Sequence, residues 1–318
     1  MSFIEKKSKE DAEYFSFVKK ISFMDEKLII KKHLGRGIAN ITKEKYLLDN
    51  LDEISEKEFE FRITFLNKIK DRLSHNLSLP EEIEKKTIKI NNLTEGKRCS
   101  ELLNSEFATE FIFNSNNIEG SKIPPDKVRQ IIETGNTQYK DKNEVKEVEN
   151  SIIAFKYLKD SFKFNINSIK RLYHLLTNNL YMENKIPYPK GFKKISNIVG
   201  NSQTVSPEEV EEELNNLLKW YKGNHNKIHP LILAFEFHRR YEFIHPFLDG
   251  NGRTGRLIMN KILMSNGYSP IIVYKDNKAA YFNSLEKSKE GKLKNYYQFM
   301  LEQTDKTYDY ILNVIKRY

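Results

Sequence analysis

Residues 230–256 read P-L-I-L-A-F-E-F-H-R-R-Y-E-F-I-H-P-F-L-D-G-N-G-R-T-G-R. The first half decides the fold class. Leu231, Ile232, Leu233, Ala234, Phe235, Phe237 and Tyr241 would put apolar side chains on nearly every side of a helix, and a helix of that kind belongs in the middle of a bundle. The second half holds the chemistry. A histidine ordinarily titrates near neutrality, so His245 is a candidate to take a proton from an attacking hydroxyl. Asp249 is a hard oxygen ligand for a divalent cation. Gly250 and Gly252 free successive backbone amides to converge on one point, an anion nest. A helix expected to begin near Thr254 turns its positive end to the same point. Arg253 and Arg256, three residues apart, project from adjacent places on that helix. A base, a cation ligand, an anion cradle and two positive clamps are what phosphoryl-group chemistry needs.

Working outward, the flanking chain reads as mostly helical. Ahead of the motif, the pattern predicts helices over 105–119, 125–133, 144–158 and 166–180, with Gly120 as a C-terminal cap of the first. Residues 188–205 break the pattern. They are rich in Gly, Pro, Asn and Ser, with short β-branched pieces at Ile195 and at Ile198 and Val199, so a small hairpin or flap is expected. Ser206-Pro207-Glu208-Glu209 is a helix start with a capping box. Behind the motif, 254–266 is another apolar helix closed by Gly267. A strand-like piece at 271–274 and two further helices complete the chain.

The N-terminal third carries no chemical constellation. Runs at 14–23 and 27–34 around Met24-Asp25-Glu26 predict a hairpin that ends at Gly35-Arg36-Gly37. Residues 42 to about 77 read as one helix with a stripe of Phe59, Ile63, Phe65, Leu66, Ile69 and Leu73, ended by Leu79-Pro80. A shorter charged helix follows at 81–92. The fold class is mainly α, with an accessory region at 1–104 and a catalytic domain at 105–318.

Composition narrows the classes. The 318 residues carry 53 basic and 44 acidic side chains, a formal charge of +9. The charges are interspersed, so a nucleic-acid partner is not required and not expected. Cys99 is the single cysteine, which excludes an intrachain disulfide and thiolate metal clusters and fits a reducing cytoplasm. The N-terminus lacks the apolar core of a signal peptide, and no window approaches ~20 apolar residues, so no membrane partner is expected.

Three competing readings of the motif fail on context. Gly250, Gly252 and Gly255 spell G-x-G-x-x-G with Asp276 downstream, but a dinucleotide fold needs a strand before the first glycine, and here a helix precedes it. His225 and His229 are four apart, but no glutamate lies between them and Pro230 follows, so a surface loop is the better account than zinc. His238 falls on the buried helix and reads as a satisfied core histidine. An incidental glycine turn does not account for so many interpretable positions at one helix start.

The segment resembles the signature of the Fic family, H-x-F-x-(D/E)-G-N-G-R-x-x-R. His245, Phe247, Asp249, Gly250, Asn251, Gly252, Arg253 and Arg256 match its fixed positions. The resemblance implies a helical Fic-fold bundle with a β-hairpin flap, and transfer of AMP from ATP to a protein hydroxyl. On that resemblance His245 is the general base toward a Ser, Thr or Tyr side chain, and Asp249 binds Mg²⁺ or Mn²⁺. Asn251 and the amides around Gly250 and Gly252 hold the α-phosphate, and Arg253 and Arg256 the outer phosphates. The flap residues Ile195, Ser196, Asn197, Ile198 and Val199 align the target chain by strand-like pairing. The Doc branch departs inside the glycine segment and acts as a kinase; this chain keeps the adenylyl-transfer pattern.

Residues 115–120, S-N-N-I-E-G, resemble the family's inhibitory pattern (S/T)-x-x-x-E-(G/N). Ser115 and Glu119 lie one turn apart, and Glu119 falls at a helix C-terminus, where a negative charge is disfavoured. The resemblance implies a salt bridge from Glu119 to Arg256 that acts within the chain and blocks the γ-phosphate. Two alternatives stay open: removal of AMP from a modified protein, with Glu119 orienting water, and a nucleotide-sensing module without turnover. Self-modification and a homodimer are compatible with the sequence.

Overall fold

A computed structural model of the protein describes residues 1–9, 12–36, 42–69, 81–95, 97–182, 185–199 and 202–317. The N-terminal region opens with β1 (Ser2–Lys9), β2 (Ala12–Phe23) and β3 (Glu26–Arg36), an antiparallel sheet in the order β1-β2-β3. The expected hairpin is present. Met24 and Asp25 both take positive φ, 48° and 69°, as the tight turn between twisted strands requires. The extra strand β1 went unread because its Glu-Lys-Lys-Ser-Lys run masks any alternation. Charged side chains of this kind suit an edge strand.

Helices α1 (Lys43–Asp49) and α2 (Leu51–Leu66) replace the single helix expected over 42–77. Asn50 leaves helical geometry and turns its side-chain amide back onto the Tyr46 carbonyl at 2.9 Å, which breaks the run. The expected stretch 70–80, with Leu73, Leu79 and Pro80, lies outside the described residues. Then come α3 (Glu81–Leu93) and α4 (Lys97–Ile118). The boundary drawn between residues 104 and 105 therefore falls inside a continuous helix.

Helices α5 (Pro125–Thr134), α6 (Lys142–Asp160) and α7 (Ile166–Thr177) lead to the flap, whose strands β4 (Ile198–Val199) and β5 (Ser202–Gln203) pair antiparallel. Next are α8 (Val210–Asn224), α9 (Pro230–Ile244), α10 (Asn251–Ser265), α11 (Lys278–Lys289) and α12 (Leu293–Ile315). Helix α8 starts at Val210, later than the capping box proposed; Ser206 Oγ instead meets the Glu209 carboxylate at 2.7 Å. Residues 271–274 are extended but join no sheet; the Ile272 and Tyr274 amides donate to Thr307 and Gln303 on α12.

The interior explains the order. Leu231 through Phe235, Phe237 and Tyr241 of α9 are all within 1% of full burial, as the all-round apolar pattern predicts. Helix α9 lies against α8, α10 and α12. Phe23, Ile83 and Ile90 join the same core, so the N-terminal elements pack onto the bundle rather than hanging from it. A small second cluster of Phe17, Ile21, Ile30, Leu47 and Ile54 glues the sheet to α1 and α2. No described helix is long and apolar enough to cross a membrane.

Candidate active site

Helix α9 ends at His245, which caps it in the left-handed region, φ 50° and ψ 62°. Histidine is one of the few side chains found there, and the turn swings its imidazole out of the helix line. Phe247 then plugs the loop into the core: its ring stacks on Tyr173 at 3.7 Å and 4°. Asn251 closes the loop from the other side. Its Oδ1 accepts from the Phe247 amide at 2.9 Å and its Nδ2 donates to the Phe247 carbonyl at 2.8 Å. Both polar atoms of that side chain are thus engaged with the loop.

Helix α10 begins at Asn251, not near Thr254, because Gly250 (φ 81°) takes the left-handed cap position and lets the first turn start early. Gly250 thus supplies the expected conformation. Gly252 does something else. It is helical, and a Cβ there would collide with the Glu119 carboxylate and stand 2.9 Å from Arg256 Nη1. Its missing side chain leaves room for an anion against the start of the helix, where partial positive charge collects.

That room holds a carboxylate. Arg256, 1% exposed, donates through Nη2 to Glu119 Oε1 at 2.6 Å and to the Ser115 carbonyl at 2.9 Å, and through Nε to Ser115 Oγ at 3.0 Å. The pair predicted between α4 and the motif is therefore formed. Arg256 Nη1 has no hydrogen-bond partner among the described residues.

Arg253 is equally buried and tied elsewhere. Its Nη1 donates to Glu147 Oε1 of α6 at 2.8 Å and its Nη2 to the Tyr188 hydroxyl at 3.1 Å. Tyr188 in turn donates to Asp249 Oδ2 at 2.7 Å. Burial, only partly offset by Arg253, raises the Glu147 carboxyl. Glu147 and Tyr188 were not found from sequence. Glu147 is 106 residues from its partner, and nothing local marks it out.

The imidazole of His245 lies mostly buried. Burial pushes the His245 imidazole down to about 4 and the nearby charge of Lys193 adds to this, while the Glu242 carbonyl, Glu119 and Asp249 oppose it. His245 is therefore uncharged at neutral pH, as a base must be. Glu242 lies between two histidines: Oε1 is 3.7 Å from His238 Nδ1 and Oε2 is 4.0 Å from His245 Nδ1. Burial raises its carboxyl to about 8, Arg256 opposing and Glu119 adding. His238 is the buried core histidine expected there; its Nε2 shares a 2.7 Å hydrogen bond with the Tyr281 hydroxyl, and its Nδ1 has no hydrogen-bond partner among the described residues. His229, read as part of a surface loop, is 3% exposed and caps α9 through Nδ1 to the Leu231 amide. Beside Glu242, a cavity of about 440 Å³ opens between the flap, α9 and α11, lined by Ile198, Phe243, Phe282, Leu285 and Lys289.

Of the expected flap residues, Ile195 and Ile198 are 62% and 73% exposed. Asn197 is anchored: its Nδ2 donates to the Phe247 carbonyl at 3.1 Å.

A helical bundle whose central helix delivers a histidine to a glycine-rich anion seat defines the class. Residues 163–263 match the Fic/DOC family. The protein adenylyltransferase Fic of Drosophila erecta is 29% identical over 236 residues, covering 73% of this chain and 47% of that protein. The Drosophila melanogaster protein of the same name is 28% identical over 236 residues, covering 73% and 48%. The chain thus spans about half the length of these relatives. A Fic domain containing signaling protein from Bacteroides thetaiotaomicron superposes with a TM-score of 0.65 at 22% identity, covering 74% of this chain and 98% of that one. Fic-1 from C. elegans gives 0.62 at 23%, covering 73% and 69%. These two likenesses establish the fold.

Proposed function

We propose that the chain is a protein adenylyltransferase that moves AMP from ATP to a Ser, Thr or Tyr hydroxyl of a target protein, itself included, and that Glu119 holds it in check. The observation that carries the proposal is the anion seat at Gly252 and the start of α10, which Arg256 shares with the Glu119 carboxylate at 2.6 Å. A carboxylate there stands where a phosphate would otherwise meet the same arginine. The adenylyltransferase names of the relatives agree with this reading.

The chemistry follows from the residues. The target hydroxyl oxygen attacks the α-phosphorus, its proton passes to neutral His245, and pyrophosphate leaves. Backbone amides at the start of α10 steady the α-phosphate, and Arg253 and Arg256 draw charge from the outer phosphates once their carboxylate partners yield. The apolar cavity between the flap and α11 suits the nucleoside. The half-buried carboxylate of Asp249, a hard oxygen donor, would hold Mg²⁺ or Mn²⁺. Such a cation supplies charge neutralisation on the phosphates. The exposed flap strand offers its edge to the target chain.

Incubation with α-labelled and γ-labelled ATP tests the reading. Glu119→Gly should label protein from the α-label only, and adding His245→Ala should abolish it, a loss of about 10²–10⁴-fold. Label arriving from the γ-position would make the reaction phosphorylation. Release of AMP from a pre-modified protein, with no forward transfer, would favour the reverse reaction.

A further inference from the structure

Lys193 stands at the root of the flap, 3% exposed, and no carboxylate among the described residues pairs with it. Its Nζ donates to three neutral oxygens: Asn197 Oδ1 at 2.9 Å, Thr204 Oγ1 at 2.6 Å and the Ile244 carbonyl at 3.3 Å. Its backbone amide donates to the Pro246 carbonyl at 2.9 Å. An ammonium buried without a counter-charge is costly, and burial lowers its own value to about 8. A neutral side chain would fill the same space more cheaply.

The positions of its four acceptors give the cation a use. Ile244 and Pro246 flank His245, whose backbone is in the left-handed region. Asn197 and Thr204 close the base of the flap hairpin, where the Thr204 hydroxyl and amide both donate to the Asn197 carbonyl, at 2.9 and 3.3 Å. One residue therefore ties both ends of the flap to both sides of His245: its side chain reaches Asn197, Thr204 and Ile244, and its backbone amide reaches Pro246. The flap strands themselves are only two residues each, too short to hold a register unaided.

We propose that Lys193 is the positioning residue that fixes the register of the flap against the His245 imidazole, so that a chain docked on the flap presents its hydroxyl to the base. This rests on the transferase reading above. It carries a second consequence. The titratable side chains that face His245 are Glu242 from α9, Glu119 from just past α4, Asp249 from the loop and Lys193 from the flap root. Lys193 is the cation among them, and its charge adds to burial in holding the imidazole unprotonated.

The test uses the full chain in the Glu119→Gly background, with Lys193→Met and Lys193→Arg added in turn. With α-labelled ATP and the chain as its own acceptor, Lys193→Met should slow transfer at saturating ATP by roughly tenfold while the KM for ATP stays within about twofold. The acid limb of its rate should move to higher pH. Lys193→Arg, which keeps the charge, should restore the limb and part of the rate. Imidazole titration of His245 by NMR reads the same coupling without turnover: upward in Lys193→Met, unmoved in Lys193→Arg. A Lys193→Met chain that transfers at the parent rate with the parent profile overturns the inference, as does an unmoved His245 titration. A parent that transfers no α-label sinks the transferase reading instead, and the titration still judges Lys193.

Discussion

Arg62 and Arg256 are both buried arginines that meet a glutamate from another helix, and the two pairs are built to opposite ends. Arg62 Nη2 lies 3.0 Å from Glu84 Oε2, with the side chains 3% and 5% exposed. Its guanidinium sits over the rings of Phe23 at 4.3 Å and Tyr268 at 4.8 Å, and Glu84 also takes the Tyr268 hydroxyl and lies 3.4 Å from His229 Nε2. Every side of that pair is closed, and it joins α2, α3, the start of α9 and the loop after α10. Arg256 is as buried, but its partner Glu119 is 25% exposed and sits just past the last turn of α4. Glu119 lies just past the helix end and keeps part of its carboxylate in water. On the adenylyltransferase reading proposed above, the same two functional groups make a staple in one place and a latch in the other, set apart by the exposure of the acid.

Breaking the staple should give the largest effect. Arg62→Ala strands Glu84 in the core and should cost roughly 3–5 kcal/mol in denaturant unfolding, because a buried charge is left without its partner. The pH dependence follows. Burial alone would raise the Glu84 carboxyl, but Arg62, His229 and Tyr268 together outweigh it, and the group is held at about 2. Its folded value lies below the unfolded one, so its stabilisation is full above about pH 4.3 and lost as pH falls toward 2. Glu84→Gln should flatten that acid limb. An Arg62→Ala chain that unfolds at the parent midpoint would break the comparison.

Releasing the latch should act on rate instead. Glu119→Gly should raise AMP transfer about 5–150-fold, the usual range for a coupling between two states, and move unfolding stability by less than about 1 kcal/mol. Measured together, transfer rate and denaturant midpoint separate the two pairs: the staple moves the midpoint, the latch the rate. A Glu119→Gly chain that unfolds like Arg62→Ala would make Glu119 structural.

The Glu119–Arg256 pair was legible from sequence and the Arg62–Glu84 pair was not, for a physical reason. The seat is local: His245, Asp249, Gly250 and Arg253 fall within nine residues, and helix-start rules alone place them near one point. The bundle was legible too, because α9 is apolar on all sides. Glu119 was reached only through a short pattern and its odd placement at a helix end. Lys193, Glu147, Tyr188 and Glu84 have no such local mark. Lys193 is one of 53 basic residues, and only folding shows that it alone in its run turns inward. Gly252 was read for backbone freedom, yet it is helical and works by having no side chain. Space left for an anion is a tertiary fact, invisible to a rule about φ.

The smallest effect sharpens the latch from inside. Ser115 holds Arg256 twice, through Oγ to Nε and through its carbonyl to Nη2. Ser115→Ala deletes the first bond and leaves the second, as well as the Glu119 pair. One hydrogen bond of this kind contributes about 0.5–1.5 kcal/mol net, or roughly 2–10-fold. If Ser115 serves mainly to seat Arg256 against Glu119, the substitution should raise AMP transfer by that small factor, less than Glu119→Gly does. In the double variant with Glu119→Gly it should add nothing, since the latch it supports is already gone. Transfer rates across that four-member cycle measure the coupling. Additive effects would mean that Ser115 acts on Arg256 independently of the carboxylate, and the latch would then be Glu119 alone.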